Sequence, residues 1–488
     1  MLLDLFDGAL ADRPESLALD ELTFRQFHDR ANHVARRLAQ TGVGRGDRVV
    51  IYCENRLGLA LSYVAALRLG AIAVPINPLY RRVELSHVLR DAEPALVVHS
   101  ATVARWLADA GSGGVPQIGV EEVESWKGDS RLEPALAAGP NPEDVALIVY
   151  TSGTTGKSKG AMLSHRNLAA VATQLIGAWR WQPCDTLLLT LPLFHVHGLV
   201  AGLTTSLCAG GRTILHERFD AATVRERLAR GDVTMFFGVP TMYVRLLEDA
   251  NAVITPLRLF VSGSASLPER VHRAFFERFG ASILERYGAT EFGFALGNRY
   301  AGPRIAGSVG VPLPGVRVRI AAEGTTHAVH GGEIGELLVA GPNVFCGYWR
   351  QPDATAAAFC TDADGTRWYR SGDLAQYDMQ AGVFRIVGRI KDVIISGGFN
   401  VYPAEVEAAV ERFPAVRACA IVGIPDDVRG ERPMAFVESA GPLDVEALRA
   451  QLRLELASFK IPVEIRVVDA LPRNAMGKLD KSALRKRL

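Results

Sequence analysis

Apolar positions recur every three or four residues along Leu22–Ala39, where Phe24, Phe27, Ala31, Val34 and Leu38 share one face. That spacing predicts an amphipathic helix ending near Gly42-Val-Gly44. A short apolar run at Asp47–Tyr52 reads as a strand, Leu59–Leu69 as a buried helix, and Ala71–Pro75 and Val97–His99 as further strands. The rhythm returns at Val145–Tyr150, the helix Leu168–Ala178, Thr186–Thr190, Thr234–Val239 and Leu257–Ser262. Strand–helix alternation of this kind predicts an α/β fold with largely parallel sheets. After about Gly302 the period drops to two in Val316–Ile320, Gly335–Ala340 and Val383–Val387, which predicts a smaller antiparallel β module over about residues 302–388. A third pattern begins beyond Gly388: helix Ala404–Phe413, strand Ala418–Val422, helix Val445–Ala457, strand Glu464–Val468. It predicts a compact α+β unit over residues 392–488, divided at 389–391 from a large N-terminal unit of 1–388.

Composition narrows the class of function. A length of 488 residues suggests about three structural units at ~150 residues each. The 54 Lys and Arg offset 53 Asp and Glu and are spread along the chain, which argues against a broad cationic face for nucleic acid. Charged residues make up only 22%, with ample Leu, Val and Ile, which excludes bulk disorder. Cys53, Cys184, Cys208, Cys346, Cys360 and Cys419 lie far apart with no CxxC pair, so a disulfide framework or structural zinc is not expected and a reducing, cytoplasmic setting is. The N-terminus lacks the basic and apolar regions of a secretory signal. The most apolar stretch, Leu57–Ile76, is broken by Arg68, Gly70 and Pro75, so no membrane span is expected.

Candidate chemistry concentrates in Tyr150-Thr-Ser-Gly-Thr-Thr-Gly-Lys-Ser-Lys-Gly160, directly after an apolar strand. Gly153, Gly156 and Gly160 let the backbone fold close to an anion, and Thr151, Ser152, Thr154, Thr155, Ser158, Lys157 and Lys159 can donate to phosphate oxygens. A plain Gly/Ser/Thr turn is the alternative. A P-loop is excluded because the Walker spacing needs Gly at 151, where Thr stands.

This segment resembles the phosphate loop of the acyl-adenylate-forming superfamily. Further elements of that superfamily follow in order: Tyr287-Gly-Ala-Thr-Glu291, Tyr369-Arg-Ser-Gly-Asp373, Gly388-Arg-Ile-Lys-Asp392 and Pro472-Arg-Asn-Ala-Met-Gly-Lys478. The resemblance covers nearly the whole chain. It implies ATP, Mg²⁺ and coenzyme A as co-substrates and cofactors, with a carboxylic acid joined first to AMP and then to the thiol. It assigns catalysis to Lys478, Thr155 and Glu291, with Glu291 as the Mg²⁺ ligand. Ser264, Ala265 and Ser266 would wall the adenine, Glu285, Tyr287, Gly288 and Thr290 would line the nucleotide, and Asp373 would accept from the ribose with Arg389 nearby. Lys391 would be the hinge of a mobile C-terminal lid, and Gly397, Gly398 and Phe399 would border the CoA channel. Read singly, Asp373 could be a cap and Lys478 a surface lysine.

Two arginines bear on which acid is activated. Arg286 precedes Tyr287, and Arg245 lies in Gly238-Val-Pro-Thr-Met-Tyr-Val-Arg. A guanidinium pairs bidentately with a carboxylate, so two of them at an acyl pocket would select a diacid. Equally, Arg245 could pair with Glu248 three residues on. Among superfamily members the motifs Gly238–Glu248, Ser262–Pro268, Leu191–Leu199 and Gly341–Trp349 are most similar to malonyl-CoA synthetases. That resemblance implies that Arg245 and Arg286 hold the distal carboxylate of a malonate-like diacid, and that His195 and His197 line the acyl pocket. His197 could instead be a buried, hydrogen-bonded histidine. Ala289, where relatives have Met, leaves methylmalonate open. A medium-chain or aromatic acyl-CoA synthetase is the alternative with the same chemistry, and a non-catalytic nucleotide-binding sensor that kept the fold is the alternative from a different class.

Overall fold

The computed structural model describes residues 2–111, 113–127, 139–151, 158–473 and 478–486. Two large sheets dominate the N-terminal part. One has nine strands, its central strands Ile283–Tyr287, Leu259–Ser262, Met235–Gly238, Thr186–Leu189 and Arg212–Leu215 running parallel. The other has seven, with Val145–Thr151, Ile72–Pro75, Arg48–Tyr52, Leu96–His99 and Gln117–Gly119 parallel. The expected α/β class and largely parallel pairing are therefore present.

Strand alternation explains the layering. Val49 and Ile51 face the same core as Leu187, Leu189, Val261 and Leu284, between the two sheets. Val50 and Tyr52 face a second core under the helix Arg82–Ala92, and Leu188, Phe236, Phe260 and Ile283 a third under Glu269–Phe279. Both faces of each sheet are thus covered, which is why these strands read as continuous apolar runs. The helix Phe24–Gln40 starts two residues later than its apolar pattern, because Leu22–Thr23 form a short strand and Thr23 caps the helix in a box with Gln26.

The β module is a five-stranded antiparallel sheet built from Arg317–Ala321, Ile334–Ala340, Arg367–Asp378, Phe359–Thr361 and Val383–Arg389. The C-terminal part has its own five-stranded sheet and its own cores, formed by residues from Ile394 onward. Between the two sheets a 3₁₀ turn, Ile390–Asp392, carries the exposed Lys391. The strands Ile394–Ser396 and Phe399–Val401 are joined by Gly397 and Gly398 at φ 59° and 83°. Two consecutive positive φ values define the two-residue turn that twists with its hairpin, and glycine adopts them without strain. No helix among the described residues is long and apolar enough to cross a membrane.

Candidate active site

The parallel strands of the nine-stranded sheet end on one edge, and these strands and the segments leaving them carry His195, His197, Ser264–Ser266 and Glu285–Glu291. Alternation along Ile283–Tyr287 puts Arg286 on the side of Leu284, toward the core between the sheets, and Glu285 on the other. Arg286 is only 5% exposed, so its charge is held almost wholly inside the protein. Its guanidinium lies 4.4 Å from the ring centre of Phe294. On its other side is Gly263, where a Cβ would fall 2.3 Å from Nε and 2.4 Å from Cζ. Nη2 donates to Ser264 Oγ at 3.4 Å, and Nε has no partner. Among the described residues no carboxylate pairs with it, and burial pushes its pKa down to about 9. It remains charged at neutral pH, so this is a buried cation awaiting an anion.

Gly263→Ala tests that packing. The new methyl group would drive the guanidinium off its position without opening the core. We expect kcat/KM for a diacid to fall about ten- to a hundredfold, since small displacements at a site carry that cost, with a near-unchanged rate for acetate. Steady-state kinetics on both acids check it.

His197 opens a π-helix, His197–Thr204, and is 2% exposed. Its ring stacks on Phe237 and meets Phe294 edge-on, and Nδ1 lies 3.3 Å from Ser264 Oγ. Burial and the nearby charge of Arg286 depress its pKa well below the usual histidine range. His195 is half-buried against Phe194, and burial with the charge of Lys478 lowers its pKa to about 3. Both rings are neutral at pH 7 and neither is poised as a base.

Arg245 is exposed, over the ring of Phe219 and 5.4 Å from its centre. In the helix Pro240–Leu247 the buried face is taken by Tyr243 and Leu246. At about 100° per residue, position 245 falls outside that face.

A second cluster gathers around Tyr287 at the end of the same strand. Tyr287 Oη donates to Asp373 Oδ2 at 2.5 Å, and Arg389 Nε pairs with Asp373 Oδ1 at 2.9 Å. Asp373 and Arg389 are cross-strand partners in the β module, so sheet register brings them together. Glu285 accepts from the Leu267 amide at 2.9 Å, while its other oxygen is buried without a partner and burial raises its pKa to about 8. Gly288, Ala289 and Thr290 form the turn from Tyr287 to Glu291, all half-buried. Glu291 accepts from Tyr348 Oη at 2.9 Å, and burial raises its pKa. Lys159 lies over the Tyr348 ring at 5.1 Å. Ala265 and Ser266 are exposed on the loop after Leu259–Ser262.

Thr151 and Lys159 pair across the base of an antiparallel hairpin, and Ser158 accepts from His87 at 2.7 Å through its carbonyl. Ser152, Gly153, Thr154, Thr155, Gly156 and Lys157 lie outside the described residues. Lys478 lies in a cleft where solvent still reaches it and protein surrounds it. That surrounding protein and the charges of Arg389 and Arg286 lower its pKa to about 8, against the pull of Asp373 and Glu291. The C-terminal part thus places its lysine at the edge where Arg286, His195, Glu291 and Asp373 converge. Gly397, Gly398 and Phe399 are exposed, with Phe399 stacked on Phe459 at 4.6 Å. Sequence reasoning missed Tyr348 as the partner of Glu291 and Gly263 as the seat of Arg286; both contacts are non-local or involve a residue without a side chain.

Residues 6–349 match the AMP-binding enzyme family, and residues 405–478 its C-terminal domain. The mitochondrial malonate–CoA ligase of Mus musculus is 34% identical over 96% of this chain and 87% of its own. A feruloyl-CoA synthase from Amycolatopsis sp is 35% identical over 96% of this chain and 94% of its own. ATP-bound MatB from Rhodopseudomonas palustris superposes with a TM-score of 0.92 at 36% identity, covering 100% of this chain and 99% of that one, whereas its apo form gives 0.81. With both family matches in register and the motif residues gathered at one sheet edge, the chain belongs to the AMP-binding enzymes.

Proposed function

We propose that this chain ligates a malonate-like diacid to coenzyme A through an acyl-adenylate. Acid–CoA ligation is the activity the relatives share. The diacid is the finer reading, and one observation carries it: Arg286 is a buried guanidinium with no acidic partner among the described residues. A monocarboxylic substrate would leave that charge unmatched, at a cost of about 1–3 kcal/mol or more. A diacid supplies the missing anion at its far end while its near end reacts. Malonate, with one methylene between its carboxylates, is such an acid, and methylmalonate adds only a methyl group near Ala289. A medium-chain or aromatic acid is disfavoured by the same buried charge.

In the first step a substrate carboxylate oxygen bonds to the α-phosphorus of ATP and pyrophosphate leaves with the electron pair of the broken P–O bond. In the second, the CoA thiol gives up its proton to solvent, its sulfur attacks the acyl carbon, and AMP leaves with the electron pair of the broken C–O bond. Lys478 bridges the reacting carboxylate and the α-phosphate as a cation. Asp373 accepts from the ribose hydroxyls, oriented by Tyr287 and Arg389. Thr155 and the rest of the phosphate loop hold the triphosphate, with Ala265 and Ser266 against the adenine. Mg²⁺ fits the site: Glu291 offers one hard carboxylate oxygen, and phosphates and water supply the remaining ligands such an ion prefers. When bound it neutralises phosphate charge. The C-terminal unit, residues 392–488, then turns about Lys391, withdrawing Lys478 and presenting Gly397–Phe399 to the thiol. The greater similarity to the ATP-bound than to the apo relative supports assigning this arrangement to the first step.

The test is pyrophosphate release over a panel of malonate, methylmalonate, succinate, acetate, octanoate and ferulate. Malonate is expected to lead acetate by at least about tenfold in kcat/KM. A lead by octanoate or ferulate would sink the diacid reading and leave the ligase.

A further inference from the structure

Ser264 has φ 71°, a left-handed conformation uncommon for a residue with a side chain. Glycine would occupy that position without strain. Strain kept at a site points to a side chain in use, and the Ser264 hydroxyl lies between two buried groups. Arg286 Nη2 is 3.4 Å from it and His197 Nδ1 3.3 Å. A guanidinium only donates, so Oγ accepts from Arg286. The hydroxyl proton is then free to go to Nδ1, which must present its lone pair. That leaves the ring proton on Nε2, among the aromatic walls of Phe237 and Phe294.

We infer that Ser264 is a positioning residue: it hands a hydrogen bond from Arg286 to His197, fixing His197 as its Nε2–H tautomer and holding the Arg286 guanidinium in one rotation for the distal anion of the substrate. The three groups form a directional chain, Arg286 to Ser264 to His197. Gly263 and Phe294 pack closely against the guanidinium, and Ser264 takes one donor of Nη2. Nε, buried without a partner, is a donor left for a ligand. Ser264 therefore belongs to acid selection, whereas its neighbours Ala265 and Ser266 face outward. In the opposite tautomer Nδ1 would donate to Oγ, and the hydroxyl proton would have no acceptor among the described residues.

The role in selection rests on the diacid reading; the chain of hydrogen bonds does not. The protein has 11 histidines, and ¹⁵N-imidazole labelling with a His197→Gln spectrum for assignment reads the ring directly in the free enzyme. We expect His197 to be Nε2–H in the wild type and to become a mixture in Ser264→Gly. That variant keeps the left-handed turn, so its melting temperature should hold or rise. Its KM for malonate should rise about tenfold, a charged hydrogen bond's worth, and by more than any change in KM for acetate. A merely structural serine would instead lower the melting temperature and leave the ring spectrum alone. A wild-type His197 protonated on Nδ1, or a Ser264→Gly enzyme with unchanged malonate KM, overturns the inference. Absence of any diacid preference in the wild type would overturn the functional reading and the selective role with it, while the ring spectrum still decides the hydrogen-bond chain.

Discussion

Arg286→Met is expected to lower kcat/KM for malonate by roughly 10²- to 10³-fold. The estimate follows from what the variant leaves behind. A distal carboxylate entering the mutant pocket would be buried without a counter-charge, and breaking one side of a buried ion pair costs about 3–5 kcal/mol. Acetate brings no second carboxylate, so its rate should hold or improve as the unmatched cation disappears. The ratio of the two rates should collapse. Stability should move the other way. A basic group whose pKa is lower folded than unfolded is penalised at every pH below the folded value. With Arg286 pushed down to about 9, that penalty is in full force at pH 7. Methionine fills the space between Gly263 and Phe294 without a charge, so the melting temperature of the free variant should rise. Malonate should raise the melting temperature of the wild type, by preferential binding to the folded state, and not that of the variant. A variant that keeps full diacid preference would show that another group reads the distal carboxylate, with the exposed Arg245 the first to examine.

Much of this was legible in the chain because the fold is built from local rhythm. Strands buried on both faces appear as unbroken apolar runs, whereas the outer β-module strand Arg317–Ala321 alternates because its start is exposed. Sheet order was not legible: which run pairs with which depends on contacts far apart in sequence. The same division holds in the site. Asp373 and Arg389 each stood in a motif, but their pairing is a matter of register across a hairpin. Tyr348 reaches Glu291 across 57 residues. The burial of Arg286 depends on the missing side chain of Gly263, a feature no pattern of polar and apolar letters records.

Lys478→Ala is expected to slow adenylation by about 10²- to 10³-fold, the cost of removing one preorganised charge from a developing anion. Conversion of supplied malonyl-adenylate and CoA to the thioester should change less than about threefold. The asymmetry follows from position. In this arrangement Lys478 lies within electrostatic reach of Arg286, Arg389, Asp373 and Glu291, and the proposed turn of the C-terminal unit about Lys391 would withdraw it before the thiol arrives. The pH dependence carries the same signature. Lys478 is depressed to about 8, so its charged form prevails below that pH and is lost above it. For adenylation, kcat/KM should therefore fall as pH rises through about 8, reporting the free enzyme. Bound triphosphate stabilises the ammonium, so the fall in kcat should come at higher pH. In Lys478→Arg, whose guanidinium stays charged, the limb near 8 should vanish from whatever activity remains. Stopped-flow measurement of each half-reaction separates the two steps, and equal losses in both would mean that one fixed arrangement serves the whole reaction.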